Sequence, residues 1–155
     1  MADLFDKDHQ KFIILLNKFE VEYLLIGVVA VNFYGYSRGT GDIDIWIGSS
    51  NSNKEKLIAA IEEFGYDTSD YKKIDIEEIT MFSLGSRNEP GHIELTNRIA
   101  GVKFEEAYSK VEARVIEGIL IKVIHYNDLI TNKLASARPR DLDDVENLSK
   151  INRGR

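Results

Sequence analysis

The chain has 155 residues, a formal net charge of −6 and no cysteine. That length suits one domain, residues 1–155, with a sizeable core. The missing thiols exclude disulfides, thiolate zinc sites and cysteine nucleophiles. The acidic balance argues against tight non-specific binding to nucleic acid, where phosphate charge dominates affinity.

At 43% hydrophobic and 30% charged residues the composition is that of a soluble globular protein. No apolar run approaches membrane-spanning length and no signal pattern opens the chain, so the expected location is cytoplasmic, with no membrane partner. Only two prolines and no low-complexity stretch leave little room for long linkers.

The apolar residues between Leu4 and Glu20 take helical spacing from Phe12 onward. "YLLIG" reads as a short strand that enters a turn at Gly27, and "VVAVNFYG" as a short helix stopped by Gly35. Gly35, Gly39 and Gly41 mark a loop before the strand "DIDIWI". "SNKEKLIAAIEEFG" reads as a helix capped by Ser52 and closed at Gly65. The polar stretch "YDTSDYKKIDIEE" has no clear period. "ITMFSLG" and "HIELT" look like strands joined by a turn at "SRNEPG". "VKFEEAYSK" fits a short helix. "ARVIE" and "ILIKVI" fit a hairpin whose turn lacks a clear type I′ signature. "YNDLITNKLASA" and "RPRDLDDVENLSKI" close the described pattern as two helices, with Pro139 near the start of the second, where its missing N–H is harmless. The order predicts one α+β (α/β) domain, a mixed β-sheet with helices packed against it.

Side chains alternate along a strand. Asp42, Asp44 and Trp46 therefore share one face of "DIDIWI", and Ile43, Ile45 and Ile47 fill the other. His92, Glu94 and Thr96 share a face of "HIELT" in the same way. If the two strands are neighbours, Asp42, Asp44 and Glu94 converge. Three hard oxygen donors suit Mg²⁺ or Mn²⁺, and paired ions on shared carboxylates are a template for phosphoryl displacement. A bare D-x-D is a weak pattern, equally at home in a solvated loop end. Gly27, between strand and helix, adds backbone amides able to approach an anion. His92 reads either as a proton shuttle or, more plainly, as a surface or strand-end histidine. Trp46 reads either as a residue that stacks a base or, more plainly, as a partly buried core tryptophan. Asn32, Tyr34 and Tyr36 are candidate nucleotide or acceptor contacts.

Taken together, "LLIGVVAVNFYGYSRGTGDIDIWI" resembles the signature of the DNA-polymerase-β-type nucleotidyltransferase superfamily. The small bacterial members are nearest: abortive-infection, toxin–antitoxin and antibiotic nucleotidyltransferases. The family pattern is a strand, hG[GS], a short helix and R-x-T-x-D-x-D, and Gly27, Arg38, Thr40, Asp42 and Asp44 match it. Glu94 stands at the third acid, and Lys133, Arg138, Asp141 and Asp144 match a K…R-x-[KR]-D-x-x-D tail. The resemblance spans about residues 23–148. It implies transfer of a nucleoside monophosphate from an NTP to a hydroxyl acceptor, with Mg²⁺ or Mn²⁺ on Asp42, Asp44 and Glu94. Gly27, Val28, Arg38, Thr40 and Lys133 would hold the nucleotide. The acceptor is open among a small molecule, a tRNA end and a protein, and a homodimer or partner protein is a further expectation. Two positions depart from the pattern. Val28 replaces a small or hydroxyl residue, and Glu94 is a methylene longer than the usual Asp. These departures favour an alternative, a degenerate nucleotide- or partner-binding module such as a toxin–antitoxin component.

Overall fold

A computed structural model describes residues 5–39, 42–75, 78, 81–85 and 91–153. Helix α1, Lys7–Lys18, is started by Asp6, whose carboxylate accepts from the His9 amide at 2.8 Å. It begins earlier than Phe12, because Lys7, Asp8 and Gln10 carry no apolar signal. Strand β1, Tyr23–Ile26, is buried throughout and runs directly into α2, Gly27–Phe33. Strand β2 is Ile43–Ile47. Helix α3, Asn51–Phe64, is capped by Ser50 rather than Ser52: the Ser50 hydroxyl accepts from the Asn53 amide at 3.0 Å. Gly65 closes α3 in the left-handed conformation, as expected.

Among its described residues the ambiguous polar stretch holds one short helix, α4, Ser69–Lys73. Strands β3, Met81–Leu84, and β4, Ile93–Thr96, follow. The turn expected between them lies, apart from Gly91, outside the described residues. Helix α5, Phe104–Tyr108, precedes the hairpin of β5, Glu112–Ile116, and β6, Ile119–Val123. Glu117 and Gly118 have φ of 56° and 80°. Those are the signs a type I′ turn requires, reached here without the favoured Asn or Asp. Helices α6, Tyr126–Ser136, and α7, Pro139–Ile151, complete the domain, with Pro139 in the first turn of α7.

The six strands form one mixed sheet in the order β3-β4-β2-β1-β6-β5. β2 pairs parallel with β4, and β1 parallel with β6; the other pairs are antiparallel. Ile43, Ile45 and Ile93 are fully buried, and α1 packs on α3 through the Phe12 and Phe64 rings, 5.1 Å between centroids. Trp46 is completely buried rather than partly, with its ring edge-on to Phe104 at 5.1 Å. Asn53, also buried, ties the ends of β1 and β2 to α3. Its Oδ1 accepts from the Glu22 amide at 2.7 Å, and its Nδ2 donates to the Glu22 and Gly48 carbonyls, each at 2.9 Å. No described helix is long and apolar enough to cross a membrane.

Candidate functional site

The parallel pairing of β2 with β4 sets Asp44 directly beside Glu94. The pairing of β1 with β2 sets Asp44 beside Ile26, at the mouth of the turn into α2. That turn must be glycine for two reasons. Gly27 has φ +65°, and a Cβ there would collide with the Asp44 carboxylate. Gly27 thus admits the acid, a requirement that reading it as a phosphate-approach residue does not include.

Asp42, immediately before β2, joins the same cluster. Asp42, His92 and Glu94 each offer one ligand atom, and those atoms lie within 4.8 Å of one another. Oxygen and nitrogen donors at that spacing fit a divalent cation. Burial pushes the Asp44 carboxyl up to about 7, aided by a hydrogen bond to Glu94 and the charges of Glu94 and Asp42, against the pull of Arg140. Burial, with the neighbouring acids adding to it, thus favours a proton on Asp44 near neutral pH.

His92 lies at the end of β4, as one reading had it, but not at the surface: it is 2% exposed. Its Nδ1 lies 3.1 Å from the Gly85 carbonyl, and its Nε2 faces Glu94 Oε1 at 3.4 Å. Its own carbonyl accepts from the Ile43 amide and bonds His9 Nε2.

A second ionic group joins α6, α7 and the segment before β2. Asp144 is fully buried and receives Arg38 Nη1 on both oxygens at 2.6 Å, and Lys133 Nζ at 2.7 Å. Asp141 takes Arg138 Nε at 2.7 Å and Nη2 at 3.2 Å. Burial alone would raise the Asp141 carboxyl, but the Arg138 hydrogen bonds and the Lys133 charge outweigh it and hold it below the ordinary value. Three cations on two carboxylates leave this wall net positive. Arg38 is aimed by Asn32, whose side chain bonds the Arg38 amide at 2.7 Å and carbonyl at 2.9 Å.

The three acids of the first group and the whole of the second line one cleft of about 630 Å³, the size of a small-molecule site. Gly27, Val28, Arg38, Asp42, Asp44, Glu94 and Lys133 all face it. Thr40 lies outside the described residues. Arg98, Asn132 and Arg140 also line the cleft. Arg98 and Asn132 had no motif to announce them, and Arg140 stands at the [KR] position of the tail pattern. Asn32, Tyr34 and Tyr36, the candidate contacts, do not line the cleft, and their side chains bond within the fold. The Tyr34 hydroxyl bonds the Ile124 carbonyl at 2.7 Å, and the Tyr36 hydroxyl bonds Asp143 at 3.0 Å.

A mixed sheet that sets an acid pair beside a third acid, after a strand–glycine–helix turn, has the architecture of the polymerase-β-type nucleotidyltransferases. Over residues 7–155 the sequence matches the family described as nucleotidyl transferase of unknown function (DUF2204), and the chain belongs to that family. No curated protein matches the sequence. The fold is similar to that of the lincosamide antibiotic adenylyltransferase LnuA, solved with lincomycin bound. The two share 18% identity over 97% of this chain and 99% of that one, with a TM-score of 0.60. ANT(2″)-Ia, solved with adenylyl-2″-tobramycin, is 13% identical over 92% of this chain and 86% of its own, TM-score 0.56. An antigenic nucleotidyltransferase-like protein from Paracoccidioides brasiliensis is 14% identical over 95% and 78%, TM-score 0.53.

Proposed function

We propose that this chain moves a nucleoside monophosphate from an NTP to a hydroxyl of a small-molecule acceptor. The observation that carries the proposal is the convergence of Asp42, Asp44 and Glu94 in the cleft that Arg38, Lys133 and Arg140 also line. Asp42, Asp44 and Glu94 would hold the divalent metal, Mg²⁺ or Mn²⁺. When bound, such an ion lowers the pKa of an attacking hydroxyl and draws charge from a leaving pyrophosphate. The basic wall would bind and orient the triphosphate. Arg38 is pre-aimed by Asn32 and Asp144, so little side-chain freedom is lost when an anion arrives. Gly27 and Val28 would present backbone amides beside the phosphates. The acceptor oxygen attacks the α-phosphorus, the bond from that phosphorus to the bridging oxygen of the β-phosphate breaks, pyrophosphate leaves and the hydroxyl proton passes to water.

Three considerations support a small acceptor. The cleft is of ordinary ligand size. The net charge of −6 disfavours a polyanion. LnuA was solved with lincomycin, and ANT(2″)-Ia with an adenylylated aminoglycoside. A second reading, nucleotide binding without turnover, draws support from Val28 at the turn and from the engagement of Arg38 and Lys133 by Asp144. One experiment separates them. Each α-³²P-labelled NTP is incubated with protein, Mg²⁺ or Mn²⁺ and a library of hydroxylated small molecules, with the Asp42→Asn/Asp44→Asn variant as control. Label on a product in the wild type alone supports transfer. Metal-dependent nucleotide binding with no labelled product supports the second reading, and no binding in either protein sinks both.

A further inference from the structure

His92 is the one histidine in the acid cluster, and its surroundings give it a definite orientation. The Gly85 carbonyl can only accept, so the 3.1 Å contact requires the proton on Nδ1. Nε2 therefore faces Glu94 Oε1 with either a second proton or a bare lone pair. A charge-assisted N–H to carboxylate bond closes to about 2.7–2.9 Å. The separation here is 3.4 Å, although His92 is almost completely buried and Glu94 is its neighbour on the same strand face. That distance has another natural explanation. Two donors about 2.1 Å from a common metal ion, at angles between a right angle and the tetrahedral one, stand about 3.0–3.4 Å apart. Asp42 brings a third donor within 4.8 Å of both. The backbone carbonyl on Nδ1 is also the usual outer-shell partner of a metal-ligating imidazole, fixing the tautomer and the ring plane.

We propose that His92 Nε2 is a direct ligand, with Asp42 and Glu94, of a divalent transition-metal ion of the Mn²⁺ class, which this site prefers to Mg²⁺. The proposal rests on the carboxylate metal site put forward above and adds to it a nitrogen donor. Mg²⁺ demands oxygen ligands and gives up water reluctantly, whereas imidazole suits first-row transition metals. His92 has the burial and the fixed ring that such a ligand needs.

The test is pulsed electron paramagnetic resonance of Mn²⁺ bound to the nucleotide-free full chain, with Mn²⁺ and Mg²⁺ affinities measured by titration. The expected result is nitrogen modulation from one imidazole, changed in frequency by ¹⁵N-histidine labelling and lost in His92→Gln. In that variant Mn²⁺ affinity falls by about tenfold or more, while Mg²⁺ affinity changes by less than about threefold. The labelled wild type answers the question even if the variant fails to fold. Bound Mn²⁺ with no nitrogen modulation, or modulation that persists in His92→Gln, overturns the histidine ligand and leaves the carboxylate site standing. No Mn²⁺ binding at all overturns both.

Discussion

Replacing Asp44 with Asn should make the metal-free protein more stable, and increasingly so as pH rises. The Asp44 carboxyl sits at about 7 in the folded chain against an ordinary 3.8. A carboxyl raised by folding contributes stability that is full below about pH 4 and is lost as pH climbs through 7. The whole difference of roughly three units at about 1.4 kcal/mol each is about 4 kcal/mol, of which about 2.5 kcal/mol falls between pH 5 and pH 8. Asn keeps the shape and a donor toward Glu94 but cannot ionise, so the variant escapes this loss. The assay is urea denaturation in EDTA at unit steps from pH 5 to 8. Expected is a wild-type stability that falls relative to Asp44→Asn by about 2.5 kcal/mol across the range. In melting temperature that is about 5–10 °C for a chain of this size. Saturating Mn²⁺ at pH 8 should recover the wild type and not the variant, because the ion favours the ionised cluster. Parallel pH profiles for the two proteins in EDTA would refute the argument that burial and the neighbouring acids hold a proton on Asp44.

Two further outcomes follow from the geometry. Gly27→Ala forces a Cβ into the left-handed region and against the Asp44 carboxylate. It should cost about 1–2 kcal/mol in backbone strain and weaken Mn²⁺ binding measurably, and titration of a still-folded variant with unchanged Mn²⁺ affinity would contradict it. Asp144→Ala strips both Arg38 and the buried Lys133 of their shared carboxylate. With Lys133 left only its 3.5 Å contact to Asp141, the loss should destabilise by up to about 3 kcal/mol in urea, whereas Asp143→Ala on the exposed side of the same helix should cost under about 1 kcal/mol.

The acid cluster was legible because strand period and strand neighbourhood are simple rules. Asp42 and Asp44 alternate with buried isoleucines, and parallel pairing with "HIELT" carries Glu94 alongside. The glycine at 27 was legible as a turn, yet its reason was not, since no local pattern tells that Asp44 packs over it. Ser50 lost to Ser52 as the expected cap of α3 because both are capping residues a turn's fraction apart, and only the backbone decides between them. His92 looked like a surface residue because its burial depends on contacts from Gly85 and His9, which the strand pattern around it does not reveal. The tyrosines beside α2 read as contacts because an isolated Tyr carries no mark of where its hydroxyl ends up. Tyr34 spends it on Ile124, ninety residues away.

Asp144 reaches back across 106 residues of chain to Arg38 and gathers Lys133 beside it, and that has a consequence for the order in which the molecule matures. Every acid of the cluster has left the ribosome once Thr96 has, and β3, β4 and β2 can then pair. The strand that covers the far edge of β1 arrives later, with β6, and the carboxylate that gathers Arg38 and Lys133 arrives only with α7. A nascent chain therefore carries the repelling acids well before it carries the anchor for their basic counterpart.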